Sequence, residues 1–116
     1  MNIEDFRRFC LSLGDVTEKM PFGKFARRYE SVLVFYVCGH MFCMIDIDDF
    51  RYVTVRSTED EISDMQSRCA SVGRPLNPSL KYWMQIDLDG DVSWKEILAL
   101  VVRAYGLVES RYTSRR

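Results

Sequence analysis

Oxygen-bearing side chains recur at alternate positions in residues 85–96, QIDLDGDVSWKE, and this spacing is typical of a calcium loop. An EF-hand loop has oxygen ligands at positions 1, 3, 5, 7, 9 and 12 and glycine at position 6. With Gly90 at position 6, the ligand positions from 3 onward are filled by Asp87, Asp89, Asp91, Ser93 and Glu96. Position 1, however, is the neutral Gln85 instead of a carboxylate. The helix that precedes an EF-hand loop does not fit either, because the segment before Gln85 is strand-like and Pro78 lies just ahead of it. We therefore predict a tight turn at Asp89-Gly90, followed by a helix that a capping box of Ser93 and Glu96 opens.

The single histidine, His40, lies between Cys38 and Cys43 and is the next candidate for chemistry. A structural zinc site has four ligands, usually in close pairs, and the remaining cysteines, Cys10 and Cys69, fall in predicted helices at no suitable spacing. We interpret the cysteines as small apolar core groups. No glycine-rich phosphate loop occurs, and one histidine at a predicted turn supports no catalytic set. The sequence thus predicts no metal, no cofactor and no enzymatic activity.

Basic residues interleaved with aromatic residues are the remaining chemical signal, because cations contact phosphates while rings stack on bases. The candidate nucleic-acid contacts are Lys24, Arg27, Arg28, Arg74, Lys81, Trp83, Arg103 and Arg111. The alternative is that these cations only keep a small domain soluble, since the net charge is −1 and the pI is near 5.8, whereas nucleic-acid-binding domains are usually strongly basic. One end is nevertheless locally basic, because residues 97–116 contain Arg103, Arg111, Arg115 and Arg116 against only Glu109. Trp83 is open to two interpretations, a core anchor or an exposed binding surface.

Hydrophobic periodicity predicts the elements that position these residues. In chain order they are a helix over 3–13, strands over 31–38, 41–47 and 51–56, a helix opened by a capping box of Thr58 and Glu61, one or two strands over 80–88, and a final helix after Ser93. Gly39-His40 is predicted to form the two-residue turn of a hairpin. Strands in runs with helices between the runs favour an antiparallel sheet with helices on one side. We therefore predict a two-layer α+β fold.

Length and composition indicate one domain over residues 1–116, because single domains commonly run to about 100 to 200 residues and 47% of this chain is hydrophobic. The opening MNIEDFRRFC has no apolar stretch typical of a signal sequence, and no run of about 18 apolar residues could span a membrane. Four cysteines without a secretion signal are typical of a reducing compartment. A cytoplasmic location without membrane attachment is the expectation.

Three stretches resemble the MmcQ/YjbR family of small bacterial domains: NIEDFRRFCLSLGDVTEKMPFG, VCGHMFCMIDID and LKYWMQIDLDGDVSWKEILALV. The first stretch is similar to the family's first helix and the Pro-Phe-Gly turn after it. The second is similar to its hairpin. The third is similar to its tryptophan-containing strand, the D-L-D-G-D turn and the last helix. Trp83 matches the family's prominent tryptophan, and Lys81 matches one of the lysines before it. The chain departs from the family in RPLNPSLKY, which keeps Asn77 but lacks a histidine, in His40, where the family tends to have lysine, and in the longer segment KFARRYES.

The resemblance implies a fold of the α-β-β-β-α-β-β-α kind, which agrees with the elements predicted from periodicity. It also implies DNA binding, a description of the family that rests largely on a shape analogous to double-wing DNA-binding domains, and it implies no catalytic residue and no cofactor. Our first hypothesis is therefore weak or non-specific DNA binding through phosphate contacts. The alternative is a protein-interaction or dimerisation module that uses an exposed sheet face around Tyr52, Tyr82 and Trp83. Convergence of Arg27, Arg28, Lys81 and Arg111 on one face would favour DNA, whereas their scatter among carboxylates would favour a protein partner.

Overall fold

The structure, a computed structural model, describes residues 1–24, 26–75 and 77–113. Its helices and strands, in chain order, are α1 (Ile3–Leu11), β1 (Val16–Lys19), β2 (Val32–Val37), β3 (His40–Asp46), β4 (Tyr52–Arg56), α2 (Glu59–Arg68), β5 (Val72–Gly73), β6 (Trp83–Asp87) and α3 (Trp94–Tyr112). Short 3₁₀ turns occupy Arg27–Tyr29 and Pro78–Leu80. The terminal Arg115 and Arg116 lie outside the described residues. In the part that the structure describes, no helix has the length and hydropathy needed to cross a bilayer.

The strands form one antiparallel sheet in the order β1-β2-β3-β4-β6-β5, so the predicted α+β architecture is confirmed. Two strands were missing from the sequence prediction. β1 is short and alternates half-buried with exposed residues, and β5 has two residues, so neither carries an apolar run; both exist because they pair with β2 and β6. The segment 80–88 forms one strand from Trp83 onward, preceded by the 3₁₀ turn.

The hairpin turn between β2 and β3 lies one residue earlier than predicted. Cys38 and Gly39 both have positive φ, +53° and +77°, which is the requirement of a type I′ turn. His40 consequently begins β3 and pairs with Val37. Cys38 is exposed at this turn, so its assignment to the core was wrong, whereas Cys10, Cys43 and Cys69 are buried as predicted.

The two faces of the sheet are covered differently. The helices pack on one face, where Phe6 of α1 and Leu100 and Val101 of α3 join the main core with Phe35 and Val55 of the sheet. The opposite face carries a smaller cluster in which Val34, Met44 and Trp83 are buried against flanking side chains, including Phe22 and Leu80. Burial on both faces explains why β2 is apolar almost throughout.

The acidic stretch from Asp87 to Asp91 forms a turn whose carboxylates accept hydrogen bonds from the protein itself. Asp87 Oδ1 accepts from the Asp89 amide at 2.9 Å, and the Asp91 carboxylate accepts from the amides of Ala70 and Ser71, each at 3.2 Å, and from the Ser71 hydroxyl. These bonds, the Ser71 hydroxyl first, lower the pKa of Asp91. Within residues 1–24, 26–75 and 77–113, no group of three or more potential ligands is placed to hold a metal ion.

Both helix starts that were predicted from capping boxes are capped. Thr58 Oγ1 accepts from the Glu61 amide and Ser93 Oγ accepts from the Glu96 amide, each at 3.2 Å. The side chain of Glu61 accepts instead from the Ser57 hydroxyl at 2.6 Å. That contact connects the end of β4 to the first turn of α2.

Candidate nucleic-acid interface

One end of the sheet brings together the strand termini that carry the site. Because neighbouring strands are antiparallel, β2 and β4 end where β3 and β6 begin, as the pairs Val37–His40 and Arg56–Trp83 show. The last turns of α3 pass the same end and close a cleft of about 170 Å³. We call it the basic cleft; its described lining residues are His40, Met41, Arg56, Trp83, Leu107, Val108, Arg111 and Tyr112.

Arg56, the last residue of β4, is fixed at the basic cleft by backbone oxygens. Its Nη1 donates to the carbonyl of Ser57 at 2.9 Å and, more weakly, to that of Tyr82 at 3.4 Å. The guanidinium carbon lies 5.5 Å from the centroid of the Tyr82 ring. Neutral carbonyls orient the group without cancelling its charge, and neither Nε nor Nη2 has a hydrogen-bond partner among the described residues. Arg56 therefore presents an oriented cation with one donor edge open.

Lys81 adds a second cation to the same aromatic ring. Its Nζ lies 5.3 Å from the Tyr82 centroid, within the range of a cation–π contact. Arg74 donates from Nη1 to the Lys81 carbonyl at 3.2 Å and so braces the segment just ahead of β6. Two cations thus lie close to one exposed tyrosine.

Arg111 reaches the basic cleft from the last turn of α3. Its guanidinium carbon lies 5.8 Å from the Tyr112 ring centroid, and that ring stacks on His40 with centroids 3.5 Å apart and an interplanar angle of 12°. The stack joins the end of α3 to the start of β3. A cation near a helix C-terminus also complements the helix dipole, so the position suits arginine.

The arginines at positions 74 and 103 are neutralised by the first turn of α2. Arg74 Nη2 lies 2.7 Å from Glu59 Oε2, and the hydrogen bond lowers the pKa of Glu59. Arg103 Nε lies 2.7 Å from Glu61 Oε2. By contrast, no carboxylate oxygen of the described residues lies within 4.0 Å of Arg56, Lys81 or Arg111. These three cations are therefore not neutralised by an ion pair among the described residues, although Lys81 is close enough to Glu59 to help lower its pKa.

Lys24, Arg27 and Arg28 belong to a different segment. All three are exposed, and the arginines form the 3₁₀ turn ahead of β2, which begins at the opposite end of the sheet from the basic cleft. The guanidinium carbon of Arg28 lies 4.8 Å from the Tyr29 ring centroid. The convergence of Arg27, Arg28, Lys81 and Arg111 on one face is therefore not found, because these cations are divided between two ends of the sheet. Lys24, Arg27 and Arg28 form a second candidate region for nucleic acid.

Trp83 is a core residue, which decides between its two interpretations. Only 6% of its surface is exposed, because it begins β6 facing Val34 and Met44. Its ring forms a wall of the basic cleft and is not available to stack on a base. The same burial removes Trp83 from the exposed sheet face of the alternative hypothesis, which leaves Tyr52 and Tyr82, exposed by 38% and 43%.

Sequence reasoning missed Arg56 and His40. Arg56 stands in an acidic stretch, and His40 was assigned to a turn. Alternation in RYVTVR does place Arg56 on the same face as Tyr52 and Thr54, but its pairing with Trp83 comes from a strand far away in the sequence. No local signal shows that pairing.

The basic cleft has the donor chemistry of an oxyanion site. Two guanidinium groups and an imidazole line it, the Lys81 ammonium lies near the adjoining Tyr82 ring, and none of its described lining residues carries a carboxylate. Arginine in particular offers a planar pair of donors that matches phosphate oxygens. The arrangement can therefore bind phosphate groups.

The fold and the cleft together define a small α+β domain with helices on one face of an open antiparallel sheet and a cationic site at one end. A family model described as YjbR matches residues 11–107, and the chain belongs to the YjbR family. This finding confirms the resemblance seen in the sequence.

Solved structures show the same fold. Deinococcus radiodurans protein DR2400, which contains the DUF419 family-model domain, is similar with a TM-score of 0.81 at 22% identity, over 98% of this chain and 83% of that one. A protein from Pseudomonas syringae is similar with a TM-score of 0.69 at 16% identity, over 93% of this chain and 99% of that one. A search of curated proteins found no match. At these identities the likeness concerns the fold alone.

Proposed function

We propose that this domain binds DNA without sequence preference, through phosphate contacts at the sheet end that carries Arg56, Lys81 and Arg111. The observation that supports the proposal most strongly is the concentration of three cations there that form no ion pair with a carboxylate of the described residues. Phosphate contacts supply most of the affinity in non-specific binding, so no base-reading residue is required. The role is binding, with no catalytic step.

The acidic residues do not all lie near the cleft, and two that follow Arg56 in the first turn of α2, Glu59 and Glu61, are paired with Arg74 and Arg103. Asp48 and Asp49 lie in the loop between β3 and β4, at the far end of the sheet from Arg56. Four steps along β4 from Tyr52 to Arg56, at about 3.4 Å each, separate the two ends by about 14 Å. That distance exceeds the Debye length of about 8 Å at physiological ionic strength, so the loop's charge is largely screened at the cleft.

The strength of the salt dependence follows from the number of contacts. Three neutralised phosphates give a slope of log K against log salt of about −2.7, at roughly −0.9 for each contact. Affinity should then fall by about 40-fold between 50 and 200 mM salt. An extended basic surface, which contacts more phosphates, would give a steeper slope, so the measured slope distinguishes it from a site with three cations.

Fluorescence anisotropy of labelled duplex and single-stranded DNA, titrated with the domain across salt concentrations, tests the proposal. Lys81→Gln combined with Arg111→Gln should reduce the slope by about 1.8, as two contacts are lost. Arg51→Gln is the control at the opposite end, where Arg51 lies 5.6 Å from the Tyr52 ring centroid and pairs with Asp49 at 3.0 Å; this variant removes one charge away from the basic cleft. It should leave the slope unchanged.

Arg27→Gln combined with Arg28→Gln tests the second candidate region in the same assay. If this pair abolishes binding while the Lys81 and Arg111 pair does not, the interface lies ahead of β2 and the location proposed above is wrong. Absence of binding even at low salt would refute the DNA role altogether. A protein-interaction module would then be the hypothesis to pursue.

A further inference from the structure

We infer that the basic cleft is a site for a phosphate monoester, and that its natural ligand is the terminal phosphate of a nucleic-acid strand. The identification of the ligand as a nucleic-acid end rests on the proposed function. The preference of the cleft for a phosphate monoester does not. Where a strand ends at the cleft, Arg56, Arg111 and His40 would hold its terminal monoester in place of the backbone diesters that the arginines contact elsewhere along a strand.

The volume of the cleft sets the size of the group it can hold. The cleft has a volume of about 170 Å³ and is partly open to solvent. Sites that enclose whole small-molecule ligands have about 300 to 1,000 Å³. The cleft therefore suits a phosphoryl group better than a whole nucleotide. This condition is met both by a chain end and by an internal phosphate, so the charge of the group must distinguish them.

The charge of the cleft matches a monoester better than a diester. A monoester carries about −1.5 to −2 near neutral pH and presents three strong acceptor oxygens, whereas each backbone diester carries a single charge. Arg56 on β4 and Arg111 on α3 both line the cleft, and the open Nε–Nη2 edge of Arg56 suits a bidentate contact with two phosphate oxygens. Two guanidinium groups thus face one dianion.

Among the described residues around the cleft, the end of α3 opposes an anion, since a helix C-terminus carries a partial negative charge. The structure reduces it, because both the amide and the hydroxyl of Thr113 donate to the Glu109 carbonyl. The full charges of Arg56 and Arg111 exceed the remaining half charge. The stacked pair of His40 and Tyr112 is a further wall of the cleft, and the imidazole can add a donor.

The test compares one oligonucleotide in three forms, with a 5′-phosphate, with a 3′-phosphate, and with hydroxyl groups at both ends. The wild type should bind a phosphorylated form about tenfold more tightly than the hydroxyl form, as expected for one added charge-assisted contact. Arg111→Gln should bring this ratio close to one. Lys81→Gln should weaken all forms alike and keep the ratio, because Lys81 is not among the residues that line the cleft.

A second measurement separates the cleft from the DNA role. Methyl phosphate, a monoester, should shift the NMR signals of the His40 ring and the Arg56 Nε–H more than dimethyl phosphate, a diester, at equal concentration. If DNA binds with a ratio of one and methyl phosphate produces no larger shift, the monoester site is refuted and the proposed function stands. If DNA does not bind but methyl phosphate shifts these signals selectively, the site stands with a small phosphate ester as its source, and the proposed function fails.

Discussion

Replacing Gly90 by alanine should destabilise the domain. Among the glycines with ordinary backbone φ, which excludes Gly39, we expect this substitution to have the largest effect. An added Cβ would overlap the Cβ of Ser71 and would lie 2.6 Å from its Oγ and 3.3 Å from the Asp87 carbonyl oxygen. Moving Ser71 away would disrupt other contacts, because its carbonyl accepts a hydrogen bond from the Asp87 amide at 2.9 Å and the neighbouring Val72 pairs with Ile86. The methyl group therefore forces the two segments apart.

Overpacking of this kind typically costs about 1 to 3 kcal/mol. For a domain of this size, about 4 °C of Tm corresponds to each kcal/mol, so Gly90→Ala should lower the Tm by about 4 to 12 °C. Gly106→Ala is the matched control, since Gly106 lies inside α3 and an added Cβ there meets no atom within 4 Å. That change should raise stability by about 0.5 to 1 kcal/mol through helix propensity.

Thermal unfolding by circular dichroism measures both variants. Equal Tm values for Gly90→Ala and the wild type would mean that the segment 70–71 yields to the methyl group, and would refute the close approach described here. Repeating the melts with added Ca²⁺ tests the turn assignment, because an ion that bound the folded state would raise the Tm with its concentration. We expect no such rise.

Three further predictions concern charge and packing. Glu59→Gln should release Arg74 from its ion pair and so strengthen DNA binding, with a salt slope steeper by about 0.9; an unchanged slope in anisotropy titrations would place Arg74 outside the interface. Trp83→Ala should cost about 3 to 5 kcal/mol in urea unfolding, because the ring is buried, and a loss under about 1 kcal/mol would contradict its role as an anchor. Asp91→Asn should lower the urea midpoint at neutral pH but not in acid. The pKa of the Asp91 carboxyl is lowered in the folded state, so its charged form stabilises the fold at pH values above the unfolded pKa of about 3.9. This stabilisation is lost as the pH falls through the folded pKa. A difference in urea midpoint that persisted in acid would contradict this prediction.

Local patterns were sufficient for much of the fold. The two capped helix starts, the apolar strands and the grouping of strands all follow from short-range signals, and each is present. The errors arise at positions where pairing with another strand determines the secondary structure. β1 is a strand only because β2 lies beside it, and the hairpin turn is placed by the register of Val37 with His40.

The site was harder to predict because it depends on contacts between distant parts of the chain. Lys81 and Arg111 were among the candidates, but the pairing of Arg56 with Trp83 and the partners of Arg74 and Arg103 cross long stretches of sequence. A count of basic residues treats Arg103 and Arg111 as equal. Only the folded structure shows that one is neutralised by Glu61 and the other is not.

The outermost strands have a consequence for self-association. An open sheet leaves backbone donors and acceptors at its two edges, where another chain could add a strand and start aggregation. Here one edge, β5, consists of only two residues, and the other, β1, ends in Glu18, which Arg7 holds, and Lys19. Very short and charged edges discourage edge-to-edge pairing. The sheet is thus protected at both edges against strand addition, and a partner of this domain is expected to approach over its faces or ends rather than extend its hydrogen-bond ladder.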